Sequence, residues 1–117
     1  MKTYHGTHWA EFIAFIGDTV KDELVKEIPI ILEYGITSMQ TGYGKFGSLE
    51  ANYTAREGKG LLGKLMGNKI FTIHDNSAEW ITPRVILHDS GYYGKKAEEI
   101  FKTLGYNLGM DFQVEYA

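Results

Sequence analysis

The spacing of hydrophobic positions changes several times along the chain, and each change marks an element. Between residues 8 and 27 the apolar residues Trp9, Phe12, Ile13, Ile16, Val20 and Leu24, with Ile28 just beyond, recur at steps of three and four. That spacing puts them on one face of an amphipathic helix. Thr7 is placed to cap the helix and Pro29 to stop it. Gly17 weakens its middle, so Asp18 offers the start of a separate second helix. Residues 30–38 then alternate, with Ile30, Leu32, Tyr34 and Ile36 on one side. Alternation of this kind predicts a strand. A helix continued through 28–36 stays open as the alternative, because short apolar runs do not separate the two.

The best strand pattern lies at 48–56. Leu49, Ala51, Tyr53 and Ala55 face one way, and Ser48, Glu50, Asn52, Thr54 and Arg56 the other. Strands are expected again at 69–74 and 80–88, joined by a polar turn. Pro83 cannot donate to a sheet ladder, so it implies an edge or a bulge. Ser90 is placed to cap a helix over 92–104 whose buried stripe is Tyr93, Ala97, Ile100, Phe101 and Leu104, with Gly105 at a left-handed C-cap. Residues 111–116 alternate as a last strand, and 2–5 make a short first one. The order β-α-β-β-β-β-α-β predicts an α+β fold: a mostly antiparallel sheet of about five strands with two main helices packed on one face. No repeat, low-complexity tract or linker interrupts residues 1–117, which read as a single globular domain.

Composition narrows the picture. With 117 residues, 44% hydrophobic and 14% aromatic, the chain can bury enough apolar surface to offset its ordering entropy. It has no cysteine, which removes disulfides, thiolate metal sites and thiol nucleophiles. The N-terminus carries no apolar run of signal-peptide length, and stretches such as IPIIL are too short to span a bilayer. A cytoplasmic location without membrane association is the expectation. Net charge is −3, but it is unevenly spread. Residues 11–33 hold Glu11, Asp18, Asp22, Glu23, Glu27 and Glu33 against Lys21 and Lys26. Residues 45–69 hold Lys45, Arg56, Lys59, Lys64 and Lys69 against Glu50 and Glu57. Such asymmetry steers charged partners.

Three groups of residues are candidates for chemistry. The first is the histidines. His5 and His8 lie near the N-terminus, and His74 and His88 lie at strand ends, each followed by an aspartate, Asp75 and Asp89. Imidazoles with a carboxylate bind divalent metals or act as an oriented general base. The same aspartates also suit turns and helix caps. The second is the stretch 56–69. Its Gly58-x-Gly60-x-x-Gly63 lacks the strand–helix context of a dinucleotide loop, and no Gly-Lys-Ser/Thr follows. It reads instead as a connector whose Arg56, Lys59, Lys64 and Lys69 can follow phosphates while Leu62 and Met66 wedge against a partner. Leucines folded back over the sheet edge are the plainer alternative.

The third group is short. His5-Gly6-Thr7 before a helix resembles the opening of ADP-ribosyltransferase-like folds, and Gln113-Val114-Glu115 has the form of their late Gln-x-Glu motif. The resemblance covers about seven residues. It implies NAD as substrate, His5 on the nicotinamide ribose and Glu115 as the catalytic carboxylate.

These features combine most economically in a small intracellular binding or inhibitory protein, an accessory or phage-type (viral) factor. It docks a macromolecular partner, a protein before a nucleic acid, without catalysis, metal or cofactor. The alternatives are nucleic-acid binding through residues 56–69 and a small enzyme, either ADP-ribosyltransferase-like or dependent on a His/Asp-bound metal.

Overall fold

The computed structural model describes residues 6–39, 48–58, 67–76 and 83–117, with side chains omitted at 6–10, 36–39, 48–50 and 75–76. Helix α1 (Gly6–Leu24) leads into β1 (Ile30–Met39), β2 (Ser48–Glu57), β3 (Lys69–Asn76) and β4 (Arg84–Leu87). Helix α2 (Tyr92–Leu108) and β5 (Gln113–Tyr116) follow. The strands form one sheet in the order β1-β2-β3-β4-β5. The first four pair antiparallel, and β5 returns parallel to β4 after the α2 crossover. The fold is α+β with both helices on one face, as the periodicity predicts. The expected first strand at 2–5 lies outside the described residues.

One apolar cluster joins the layers. Phe12, Ile13, Ile16, Val20 and Leu24 of α1 meet Ala51, Tyr53 and Ala55 of β2, Phe71 and Ile73 of β3, and Val85 and Leu87 of β4. Ala97 and Phe101 of α2 and Phe112 complete it. Residues two apart on each strand bury the same side, as a pleated sheet requires. A row of rings crosses the core. Tyr34 meets Tyr53 edge-on at 6.0 Å, Tyr53 stacks on Phe71 at 6.0 Å, and Phe71 meets Phe101 edge-on at 5.0 Å.

Local differences from the expectation have physical causes. Helix α1 is continuous through Gly17, because the missing side chain lets the Tyr53 ring pack against the backbone; a Cβ there would lie 2.5 Å from the ring. Thr7 sits inside the first turn instead of capping it. The 28–36 ambiguity resolves as strand. Leu24 accepts from the amides of Glu27 and Ile28, closing the helix before Pro29. Helix α2 is capped by neither Ser90 nor Gly105. Asp89 accepts from the amides of Gly91 and Gly94, at 2.8 and 3.3 Å. The helix then runs on to a left-handed Gly109, with φ of 68°. Gly105 is buried within it, tight under the Met110 carbonyl and the Phe112 ring. Pro83 precedes β4, and its carbonyl accepts from the Gln113 amide at 3.3 Å.

Candidate docking edge and basic depression

Alternation leaves Ile31, Glu33, Thr54, Arg56, Thr72, His74, Arg84, Ile86, Gln113 and Glu115 on the sheet face away from the helices. Polar cross-strand contacts tie this face together. Arg56 donates Nε to Glu33 at 2.7 Å and Nη1 to the Gly67 carbonyl at 3.2 Å. Thr54 and Thr72 share a hydrogen bond of 3.0 Å, and His88 Nε2 lies 2.8 Å from Thr72 Oγ1. Arg84 pairs with Glu115.

A bulge brings two basic side chains together at one end of this face. The register shifts between Ala55 and Arg56, so that Phe71 opposes Ala55 while Lys69 opposes Arg56. The extra residue, Ile70, turns inward and is buried. Lys69 therefore joins Arg56 beside His88 in a polar depression of about 590 Å³, whose rim also includes the acids Glu57 and Asp89 with Asn68 and Ser90. Burial, then the charges of Lys69 and Arg56, hold the His88 pKa below its ordinary value.

The structure brings together only part of each candidate group. Arg56 and Lys69 converge, whereas Lys59, Leu62, Lys64 and Met66 lie outside the described residues. His74 and His88 share the open face, with Thr72 between them along β3. Asp89 is committed to capping α2. His5 lies outside the described residues, and the Asp75 side chain is not described. Among the described residues no three His, Asp or Glu side chains are grouped to hold a metal ion. Gly6 and Thr7 belong to α1, on the helix side of the sheet. Glu115 points from the opposite face into its pair with Arg84. The two pieces of the ADP-ribosyltransferase-like pattern are therefore not on one face.

A different feature stands out at the sheet's edge. β1 runs for ten residues and, among the described residues, has a strand, β2, on one side only. Edge strands carry a row of unpaired backbone donors and acceptors, normally guarded by lysine, proline, a bulge or shortness. Ile30–Met39 contains no lysine, no proline and no bulge against β2. Its only charged side chain, Glu33, is held by Arg56. On the helix side Leu32 and Tyr34 remain 38% and 40% exposed, because α1 lies mainly over β2. Carboxylates of α1 stand over this strip. Tyr53 donates to Asp18 Oδ1 at 2.6 Å, which anchors Asp18 there. The Tyr34 hydroxyl pKa is raised by burial and then by the charges of Asp18 and Glu11.

Sequence reading placed Leu32 and Tyr34 on one side of a strand but gave them no role. The available signal was a long β-forming run free of lysine and internal proline; that it lies at an edge depends on strand order. Among the described residues no helix is long and apolar enough to cross a membrane. Comparison with protein families, with curated proteins and with solved structures finds no match, so function has to be argued from the site itself.

Proposed function

We propose that this chain is a small binding or inhibitory protein that docks a partner protein by taking an extended segment of it onto the outer edge of β1. The observation that carries this reading is the ten-residue edge, without lysine, proline, bulge or an outer strand among the described residues, with Leu32 and Tyr34 exposed along it. An added strand supplies main-chain hydrogen bonds for affinity, and the side chains flanking the edge supply selectivity. Each such bond contributes a net ~0.5–1.5 kcal/mol, so a single strand docks modestly and contacts beyond it are needed for a tight complex. No catalytic group is required.

Capture from the native cell tests the reading. Wild type should retain a protein that Leu32→Lys and Tyr34→Lys each lose. Lys69→Gln should retain it. Loss with Lys69→Gln and retention with both edge variants would refute the β1 assignment.

A second reading rests on the meeting of Arg56, Lys69 and His88, which offers donors to phosphates of a nucleic acid. It ranks lower because Arg56 already serves Glu33 and Gly67, and Asp89 stands on the same rim. Binding to single- or double-stranded oligonucleotides at low salt, weakened by Lys69→Gln, would support it.

A further inference from the structure

The acidic residues of α1 and of the turn after it are not neutralised evenly. Away from β1, Glu23 is held by Lys26 at 3.1 Å, and Glu27 by Lys96 and the Tyr92 hydroxyl. Toward β1 the balance differs. Asp18 and Asp22 share one ammonium, Lys21, at 3.7 Å from each. Both carboxylates stay largely in solvent, at 49% and 69% exposure. Glu11 acts on Tyr34 from the same side. Among the described residues, Asp18, which also takes the Tyr53 hydroxyl, and Asp22 thus have one ammonium between them on the α1 surface beside the apolar strip of Leu32 and Tyr34.

We infer that the segment docking on β1 is basic, with lysine or arginine at alternate positions on the side facing α1. This rests on the docking reading above. Successive residues of an added strand point to opposite faces, so every second side chain lies beside Leu32 and Tyr34. A lysine or arginine there lays its aliphatic stem along that strip and carries its charge out to Asp18 and Asp22. The Tyr34 ring adds a face that attracts cations. An acidic segment would be repelled. A second copy of this chain is disfavoured for the same reason. Antiparallel β1–β1 pairing about a two-fold axis keeps both α1 helices on one side of the joined sheet and brings their carboxylates together.

Blocked ten-residue peptides alternating valine with lysine, glutamine or glutamate serve as probes in an NMR titration of the full chain at low salt. The lysine peptide should shift the amides of residues 30–35 and bind at least tenfold more tightly than the glutamine peptide. The glutamate peptide should bind most weakly. Asp18→Asn combined with Asp22→Asn should bring the lysine and glutamine peptides together in affinity, with the amide spectrum otherwise unchanged. If all three peptides shift residues 30–35 equally, the docking edge stands and its basic preference is overturned. If none of them shifts those residues, the docking edge itself fails. If the lysine peptide shifts only other regions, charge alone is acting and the inference is overturned. If sedimentation shows a dimer that Leu32→Lys dissociates, the occupant is a second copy.

Discussion

At one edge of the sheet β1 runs for ten residues, and at the other β5 runs for four. Among the described residues no strand pairs with the outer side of either, but only β5 carries the features that guard an edge. β5 is short, its Glu115 is tied to Arg84 on β4, and its Tyr116 hydroxyl donates to Glu98 on α2. β1 has length, β-branched residues, and exposed leucine and tyrosine beside a row of carboxylates. Natural sheets avoid edges of the second kind unless something pairs with them. The contrast supports the proposed place for a partner, since one core carries both edges and instability of β1 does not explain the lack of an outer strand among the described residues. Tyr53 of the neighbouring strand is fully buried in that core.

The largest expected effect tests whether both edges hang on this shared core. Phe101 is fully buried on the β5 side and meets Phe71 edge-on at 5.0 Å. Phe101→Ala should cost about 3–5 kcal/mol in urea unfolding, through the cavity it leaves. A loss below about 1 kcal/mol would mean that the α2 face is misassigned.

Gly17→Ala tests the packing beside β1. The new methyl meets the Tyr53 ring, and overpacking of this kind costs about 1–3 kcal/mol. Tyr53→Phe should cost less, about 1 kcal/mol, for the bond to Asp18. It should also remove an alkaline effect. Burial and Asp18 push the Tyr53 pKa up, so the folded state holds the proton after the unfolded state has lost it. That contribution is complete below about pH 10 and is lost as pH rises further. Thermal unfolding of the two proteins at pH 8 and pH 11 checks the sign.

Much of the fold was legible because local and global signals agree. The steps of three and four in α1 and the alternation at 48–56 each name the side that is buried. The ends of α2 differ from the sequence pattern in opposite directions, the cap lying one residue before Ser90 and the stop four residues after Gly105. Ser90 and Gly105 have the right residue types, but Asp89 reaches the free amides and Gly105 is consumed by packing under Met110. The bulge at Ile70 was not visible either, since a slip of one residue depends on the partner strand. For the same reason the meeting of Arg56, Lys69 and His88 could be read only in part. The proposed docking edge was hidden more completely. Its residues were placed in a strand, but being at an edge is a property of strand order, which no local pattern encodes.

At the β5 edge, Glu115→Gln breaks an exposed ion pair and should change stability by less than about 1 kcal/mol. It should leave partner capture intact, in contrast to the β1 variants. The smallest effect lies between the edges. Burial, then the nearby charges of Lys69 and Arg56, lower the His88 pKa. The lowered pKa contributes stability that is complete above about pH 6.5 and is lost as pH falls through the folded-state value. His88→Gln should flatten that part of the stability–pH profile without affecting either edge.

Amide hydrogen exchange on the complex captured from the native cell tests the docking claim most directly. An added strand ties up the outward amides of β1, so residues 30–35 should exchange more slowly in the complex than in the free chain, with residues 113–116 unchanged. Slowed exchange confined to β5, or to the amides around Lys69 and His88, with β1 unaffected, would contradict it.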